Sequence, residues 1–454
     1  MPKLSRYNHF QPWRDGHYLA WNAVSGAVGL LDADNYATYE RLAAKLTNRS
    51  SGELDAKEQE LLGQLRYGHF VIDDDLSERD WIKFRYRKMR YDTSSLGLIV
   101  APTMACNMAC DYCFEANKQG KMTPRVVESL ISFVEKQAKD LKDVDIAWYG
   151  GEPLLAFDTI LDITESMNDL AEEYEFSYST GGIITNGYLL DKEKTDALAR
   201  MKVGQVQITV DGPERIHNQK RPLKNGKESY RTIVENMQYA CERVPVVVRV
   251  NIDKSFTAEI IEELLQELET AGLRNRVGVY FGQLEPATTV CSNITESCHE
   301  TKAYSETELE YYRLLLNHGF LIQKLPHPII TFCFAQLSNS FLVDHEGEMY
   351  RCFNYAGDKS HSMGNIQGVL SYQHPQFNHL FAFDPFENAK CTDCEILPIC
   401  MGSCPSRRAD RDVPEDEVCD SWKYNLEPML ELVAASQQQR AQQAASQQAQ
   451  EATK

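Results

Sequence analysis

The sequence predicts an α/β protein whose central part is a partial barrel. From Leu96 onward, short apolar runs alternate with amphipathic helical patterns, which indicates a parallel sheet with helices packed on it. Six such units follow one another over about 220 residues, whereas a closed barrel of this type has eight. Glycine-rich and polar motifs come directly after several of the strands, where parallel β/α folds place their sites. The expected fold is therefore an open (β/α)6 barrel with a site at the carboxyl edge of its sheet.

Apolar runs predict six strands in this part, at 96–101, 144–149, 176–185, 206–210, 246–252 and 277–281. Helical spacing predicts helices at 124–141 and 157–174, and at about 191–201, 229–243, 257–271 and 305–318.

Two smaller units flank the barrel. Residues 1–90 contain short strand patterns, then two helical patterns and a further short strand, as in a winged-helix-like α+β domain. A linking helix is expected at 81–91. The predicted domains are 1–90, the barrel at 91–320 and a cysteine-rich unit at 321–435, followed by a Gln/Ala-rich tail at 436–454.

Composition limits the classes of partner. The 454 residues include 47 basic and 66 acidic side chains, and the net charge of −19 disfavours nucleic acid. No apolar run reaches the roughly 20 residues of a membrane-spanning helix, and the polar N-terminus lacks a signal-peptide core. The sequence thus predicts a cytoplasmic protein that binds neither nucleic acid nor membrane. Its thirteen cysteines are then better explained as metal ligands than as disulfides.

Three of the cysteines, Cys106, Cys110 and Cys113, have the spacing C-x3-C-x2-C. A [4Fe–4S] cluster usually takes four cysteine thiolates. Three thiols from one loop would hold three irons and leave the fourth iron open to a small ligand. A zinc site would favour paired C-x2-C units or mixed Cys and His.

With Tyr112 as its aromatic residue, this loop resembles the signature of the radical S-adenosylmethionine (SAM) enzymes. The resemblance implies that the open iron binds the amino and carboxylate groups of SAM. It also implies that an electron from the cluster cleaves SAM to a 5′-deoxyadenosyl radical, which abstracts a hydrogen atom. The resemblance further implies an electron donor such as ferredoxin or flavodoxin.

Further SAM contacts are expected at the strand ends. Gly150 and Gly151 can let the backbone approach a ligand closely, and Glu152 can accept a hydrogen bond from an ammonium group. The segment from Asp211 to Pro222 resembles the "DGP…H…R" segment of peptide and sulfatase maturases. Arg221 or Arg249 is the expected carboxylate partner, because a guanidinium can form two hydrogen bonds to it. The other candidates are Tyr112, Thr185, Asn186, Asp211 and Asn251.

Seven further cysteines match the pattern of the SPASM extension, which carries two auxiliary [4Fe–4S] clusters: Cys333, Cys352, Cys391, Cys394, Cys400, Cys404 and Cys419. The resemblance implies one complete ligand set and one incomplete set. The complete set is Cys391, Cys394, Cys400 and Cys419, and the incomplete set is Cys333, Cys352 and Cys404. A pair of structural zinc sites is the alternative.

The incomplete set has three thiols, so either a distant residue such as Cys291 or Cys298 closes it, or one iron is open. We favour the open iron, which could bind the thiolate of a substrate cysteine. That hypothesis leads to a thioether bond between the substrate sulfur and a carbon that has lost a hydrogen, with the surplus electron passing to the cluster.

The segment from Trp21 to Leu31 resembles the peptide-recognition element of maturases that act on ribosomally made peptides. In that family a leader peptide adds a strand to the sheet edge of this domain. The predicted function is therefore thioether formation in a precursor peptide bound through its leader. Carbon–carbon crosslinking and oxidation to formylglycine are alternative reactions, and a cluster-bearing peptide-binding protein is the alternative without catalysis. The sequence identifies no general base.

Overall fold

The computed structural model describes residues 2–49, 53–115, 119–409 and 413–451. The N-terminal part contains β1 (Lys3–Leu4), β2 (Asn8–Pro12), β3 (Tyr18–Asn22), β4 (Val28–Leu31), α1 (Ala33–Thr47), α2 (Ala56–Tyr67), β5 (Val71–Ile72) and α3 (Glu78–Tyr91). Strands β2, β3 and β4 form an antiparallel sheet with β4 at its edge, and β1 pairs with β5. This order of elements matches the predicted α+β arrangement, to which β1 is an addition.

The turn between β3 and β4 contains the motif that suggested peptide recognition. The side chain of Asn22 is fully buried, and its Oδ1 accepts hydrogen bonds from the backbone N–H of Val24 at 3.0 Å and of Ser25 at 2.9 Å. Gly26 has a φ of 73°, a conformation that glycine adopts without strain. The motif therefore specifies a tight hairpin that ends in the edge strand β4.

The central part alternates strands and helices: β6 (Ser95–Val100), α4 (Pro124–Glu135), β7 (Asp143–Trp148), α5 (Phe157–Tyr174), β8 (Ser177–Thr185), α6 (Lys192–Arg200), β9 (Val206–Thr209), α7 (Glu214–Lys220), α8 (Tyr230–Ala240), β10 (Val246–Ile252), α9 (Ala258–Thr270), β11 (Val277–Gln283), α10 (Thr301–Asn317) and β12 (Leu321–Ile322). All six predicted strands are present. Helix α7 and strand β12 were not predicted. The helix expected over 124–141 ends at Glu135 and is followed by a short 3-10 turn.

The C-terminal part adds β13 (Ser340–Val343), β14 (Met349–Tyr350), α11 (Pro375–Ala382), α12 (Ala389–Thr392), α13 (Leu397–Cys400), α14 (Pro405–Ala409), α15 (Glu415–Val418) and α16 (Trp422–Glu451). Helix α16 includes the Gln/Ala-rich tail as far as residue 451, and residues 452–454 lie outside the described residues. No helix in the described part of the chain is long and apolar enough to cross a membrane.

One nine-stranded sheet forms the centre, in the order β12-β11-β10-β9-β8-β7-β6-β13-β14. Its pairs are parallel except for β13 with β14, and the sheet is open, as predicted. Strand β13 pairs with the first barrel strand, so the cysteine-rich part extends the barrel sheet. Inward-facing Ile99 and Tyr149 pack against Phe334 and Phe353 of that part. The C-terminal part therefore covers the concave side of the half-barrel.

Candidate functional site

A cavity of about 340 Å³ lies at the carboxyl ends of the parallel strands. Eleven of the residues predicted for the first site line it: Cys106, Cys110, Tyr112, Cys113, Gly150, Gly151, Thr185, Asn186, Arg221, Arg249 and Asn251. Two predicted residues, Glu152 and Asp211, are fully buried behind the cavity wall. Most of the predicted residues thus line the cavity, and Glu152 and Asp211 lie behind the residues that line it.

The two glycines after β7 pack against the cysteine loop. A Cβ on Gly150, whose φ is 120°, would lie 2.2 Å from the carbonyl oxygen of Thr103, and a Cβ on Gly151 would lie 2.4 Å from that of Met104. Backbone hydrogen bonds from Gly151 to Thr103 and from Glu152 to Ala105 join the segments, at 3.2 and 2.9 Å. We expected the two glycines to let the backbone approach a ligand closely. In the structure, the side of each glycine where a Cβ would stand packs against the segment that leads to Cys106.

The carboxylate of Glu152 is held by the end of β8. It accepts hydrogen bonds from Thr185 Oγ1 at 2.7 Å, from the backbone N–H of Asn186 at 2.8 Å and from that of Leu154 at 3.1 Å. Burial raises the pKa of this carboxyl group. Glu152 thus positions Asn186, and its expected hydrogen bond to an ammonium group stays a prediction.

Asn186 in turn holds the cysteine loop. Its side-chain Nδ2 donates to Asn107 Oδ1 at 2.7 Å and lies 3.8 Å from Cys106 Sγ. On the opposite side, the backbone carbonyl of Asn107 accepts from Lys224 N at 2.9 Å. The loop is thus fixed between the end of β8 and the segment after α7.

Hydrogen bonds around Tyr112 fix the position of Arg221, one of the two arginines that line the cavity. The Tyr112 hydroxyl is hydrogen-bonded to both Asp211 and Arg221, and it accepts from Asn251 Nδ2 at 3.2 Å. Asp211 Oδ1 accepts from the backbone N–H of Asn251 at 2.9 Å, and its Oδ2 lies 3.5 Å from Arg221 Nη1. Burial raises the pKa of Tyr112. The buried carboxylate of Asp211 thus balances the guanidinium charge of Arg221.

The other cation, Arg249, donates from Nε to Asn251 Oδ1 at 2.8 Å. The Nε of Arg221 is buried and has no acceptor among the described residues, and the same holds for Nδ2 of Asn107. A buried donor without an acceptor is costly, so both atoms are suited to a bound group that accepts hydrogen bonds. The carboxylate of SAM would suit Arg221, and the sulfur atoms of a cluster would suit the cysteine loop.

Within residues 2–49, 53–115, 119–409 and 413–451, no three His, Cys, Asp or Glu side chains are arranged to hold a single metal ion. A [4Fe–4S] cluster instead takes one thiolate at each iron, and the three thiols of the first loop fit that requirement. Burial raises the pKa of Cys106 to about 12, and binding to iron would replace its proton.

The pKa shifts of the later cysteines indicate which thiols lie near one another, and these groups are those that the SPASM resemblance implies. The pKa of Cys352 is raised to about 12, mainly by burial and also by the nearby Cys333 and Cys404 thiols. Burial also raises the pKa of Cys391, as do Cys419 and Cys394 beside it. Cys391 has the same effect on the pKa of buried Cys400. The three-thiol set and the four-thiol set are therefore distinct neighbourhoods of the C-terminal part.

The three-thiol set borders the same cavity as the first loop. Phe353 and Asn354, which follow Cys352, line the cavity. The Tyr149 ring lies 4.9 Å from that of Phe353, which lies 5.3 Å from that of Phe334. Burial raises the pKa of Tyr149, and Glu115, Cys113 and Cys352 contribute in the same direction, so Tyr149 lies near residues of both cysteine groups.

Cys291 and Cys298 lie beside the first cysteine loop. They pack with Tyr112 and Phe114 of the first loop. Their thiols donate to carbonyl oxygens of their own segment, Thr288 O and Ile294 O, each at 3.3 Å. The structure therefore associates this pair with the first loop, and closure of the three-thiol set by either residue is not supported.

Sequence reasoning missed the charged residues Glu115 and Glu285 in the lining of the cavity, and also the buried Arg351. Glu285 lines the cavity just after β11, and its position after a strand was a signal that could have been used. Arg351 is 1% exposed and donates to the carbonyls of Leu337 at 2.5 Å and Ser340 at 2.7 Å. It fixes the chain between Cys333 and β13, and no sequence pattern marks an arginine with that role.

Comparison with known proteins identifies the class. Residues 100–268 match the family model of the radical SAM superfamily. The cysteine-type anaerobic sulfatase-maturating enzyme of Clostridium perfringens is 25% identical over 373 residues, which are 73% of this chain and 95% of that enzyme. The radical SAM cyclopropyl synthase TigE of Paramaledivibacter caminithermalis is 20% identical over 476 residues, covering 94% of this chain and 95% of TigE.

The fold likeness extends over nearly the whole chain. The crystal structure of Streptococcus suis SuiB bound to the precursor peptide SuiA matches with a TM-score of 0.52 and 16% identity, covering 92% of this chain and 100% of that chain. The protein thus carries a radical SAM domain within an α/β fold of this type. The match over residues 100–268 confirms the resemblance seen in the cysteine loop, and the radical SAM family implies a [4Fe–4S] cluster and SAM.

Proposed function

We propose that the protein is a radical SAM/SPASM maturase that forms a thioether bond between a cysteine sulfur and a carbon of a ribosomally synthesised precursor peptide. The supporting observation is that one cavity is lined by the first cysteine loop and by Phe353 and Asn354, next to Cys352. A peptide in this cavity is close to the source of the radical and to the three-thiol set at the same time.

Cys106, Cys110 and Cys113 hold the first cluster, and Arg221 and Arg249 bind the SAM carboxylate. When bound, the cluster and SAM supply a radical that can take a hydrogen atom from a carbon. Tyr112 and Asp211 keep the Arg221 guanidinium oriented toward the cavity. Buried Tyr149 lines the cavity, and its ring lies 4.9 Å from that of Phe353, next to Cys352.

The four-thiol set holds one auxiliary cluster completely. With the first cluster and the cluster of the three-thiol set, the protein holds three clusters in all. The three-thiol set holds the other auxiliary cluster and leaves a position for the thiolate of a substrate cysteine. The location of Cys291 and Cys298 beside the first loop supports that open position.

The leader of the precursor binds to the edge strand β4. In the three-stranded sheet, β4 has a neighbouring strand on one side only, so its other edge is available for an added strand. Val28 and Leu30 on this strand are 45% and 49% exposed, which suits contact with apolar side chains of a leader. The remaining predicted partner is an electron donor such as ferredoxin or flavodoxin in the cytoplasm.

Oxidation of a cysteine or serine to formylglycine is the second candidate reaction. It is favoured by the sequence likeness to a sulfatase-maturating enzyme, which covers 95% of that relative. Carbon–carbon crosslinking of the peptide is a further alternative. All of these start with abstraction of a hydrogen atom, so only the product separates them.

The test incubates the reconstituted enzyme, SAM and a reductant with a cysteine-containing precursor peptide. Thioether formation predicts a product that has lost two hydrogens and whose cysteine resists alkylation. Loss of the cysteine sulfur would indicate formylglycine made from cysteine. Loss of two hydrogens with a free thiol would indicate formylglycine made from serine if the product reacts with an aldehyde probe, and carbon–carbon crosslinking if it does not. Failure to release 5′-deoxyadenosine would contradict the enzyme proposal as a whole.

A further inference from the structure

The side-chain amide of Asn107, inside the first cysteine loop, has a fixed orientation. Asn186 Oδ1 accepts from the backbone N–H of Tyr188 at 3.0 Å, so Asn186 Nδ2 must be the atom that faces Asn107. The Asn107 atom that it meets at 2.7 Å must then be an acceptor, which is Oδ1. The Nδ2 group of Asn107 is therefore a donor on the side of the amide that does not bond to Asn186.

That donor has nothing in the described part of the chain to bind. Nδ2 of Asn107 is buried and makes no hydrogen bond there. Leaving a buried donor unsatisfied costs about 1–3 kcal/mol. The residue stands directly after Cys106, and its Oδ1 is 3.9 Å from Cys106 Sγ. A cluster held by this loop would bring thiolate and sulfide sulfurs, which accept hydrogen bonds, into the same small space.

We propose that Asn107 Nδ2 donates a hydrogen bond to a sulfur of the cluster held by Cys106, Cys110 and Cys113, and that this bond raises the reduction potential of the cluster. The inference rests on the proposed function, since it requires a cluster at this loop. Adding an electron increases the negative charge on the sulfurs, so a donor stabilises the reduced state more than the oxidised state. Asn107 is then a positioning residue, held by Asn186.

The experiment is a redox titration of the reconstituted holoenzyme followed by electron paramagnetic resonance. The signal to follow is the one that changes when SAM is added, because that signal belongs to the first cluster. At the midpoint potential of the wild type, we expect the ratio of reduced to oxidised cluster in Asn107→Leu to fall about tenfold. That change corresponds to about 59 mV for a one-electron couple.

Two further variants sharpen the test. Asn107→Asp keeps an acceptor for Asn186 but has no donor, and its negative charge adds to the effect, so its ratio should fall by at least as much. The control Asn168→Leu removes an amide on α5 that bonds only to its own helix, at Thr164, and should leave the potential unchanged. A shift that appears only in the presence of SAM would show that SAM is the acceptor and would overturn the proposal.

The outcomes separate this inference from the proposed function. A wild type without any SAM-responsive cluster signal contradicts the proposed function. A normal signal with the same potential in both Asn107 variants contradicts only the role of Asn107. If the variants fail to assemble the cluster, wild-type protein labelled with ¹⁵N in asparagine side chains replaces them. A nitrogen coupling to the reduced first cluster is expected there, and its absence overturns the inference.

Discussion

The Nη1 atom of Arg407 lies 2.7 Å from Oε1 of Glu285, so an ion pair joins the helix after Cys404 to the end of β11. Glu285 lines the cavity, and burial raises the pKa of its carboxyl group. The pair connects the three-thiol set with the barrel across the wall of the cavity. Its geometry therefore bears on how a peptide is held between the two cysteine groups.

Replacing Arg407 by Met should lower the rate of peptide modification about tenfold or more. The reason is that a hydrogen bond between charged groups contributes about 1.5–3 kcal/mol, and Glu285 would lose its partner. Release of 5′-deoxyadenosine without peptide should change by less than about twofold, because the ion pair includes none of the residues proposed to bind SAM. Arg243→Met, at an exposed pair on the outer surface, is the control. Equal losses in both assays would contradict this division of roles.

Gly151→Ala should prevent assembly of the first cluster. The added Cβ would lie 2.4 Å from the carbonyl oxygen of Met104 and 2.6 Å from that of Ala105, so the loop before Cys106 would have to move. We expect loss of the SAM-responsive paramagnetic signal, while the signals of the auxiliary clusters persist. Gly63→Ala on α2, where nothing lies within 4 Å of the new Cβ, should keep all signals. An intact signal in Gly151→Ala would mean that the loop tolerates displacement.

His217 should make the folded state sensitive to acid. Its imidazole is fully buried, and Nδ1 accepts from the backbone N–H of Asp211 at 3.2 Å. Burial, together with the charge of Arg221, lowers its pKa well below 6.5. Below pH 6.5 the unfolded chain therefore binds a proton that the folded chain does not, and stability falls as the pH falls.

The expected loss from this histidine is about 1 kcal/mol between pH 6.5 and pH 5.5. His217→Asn keeps an acceptor for Asp211 and removes the titration, so its free energy of unfolding should depend less on pH by that amount. Urea unfolding of both proteins under anaerobic conditions at the two pH values measures the difference. Identical pH slopes would show that His217 does not titrate in the unfolding transition.

Leu30→Asp should weaken leader binding at least tenfold. Leu30 is 49% exposed on the edge strand, so an aspartate there costs little folding energy but places a charge where an apolar leader side chain would pack. Fluorescence anisotropy of a labelled leader peptide measures the affinity. Val369→Asp, at a residue that is 90% exposed in the C-terminal part, is the matched control. Unchanged affinity in Leu30→Asp would exclude contact of the leader with this part of β4.

Much of the fold follows from local pattern. The six barrel strands are short apolar runs between turn residues, and their parallel order follows because a helix lies between successive strands. Strand β13 was missed because Ser340–Val343 is too short to stand out, and it joins the sheet by pairing with Gly97–Val100, more than 200 residues earlier. Such pairing depends on the path of the whole chain, which no window of sequence contains.

The site likewise contains features that follow from local sequence and features that depend on contacts between distant residues. The spacing of Cys106, Cys110 and Cys113 was visible because ligands from one loop must be close in sequence. The contacts of Glu152 could not be predicted because its partners, Thr185 and Asn186, lie 33 and 34 residues away. From the sequence, a carboxylate after a strand looks equally suited to a ligand or to a neighbouring strand end.

Cysteine spacing and strand–helix alternation are local properties, so the sequence alone predicted an α/β fold and a loop that resembles the radical SAM signature. The surroundings of that loop depend on contacts between distant segments. In the folded chain, the Asn107 amide is a buried donor, and Arg221 is held by Tyr112 and Asp211. Phe353 of the C-terminal part lines the same cavity. These relationships arise from packing between distant segments, where burial and the pairing of polar groups select one arrangement for the whole chain.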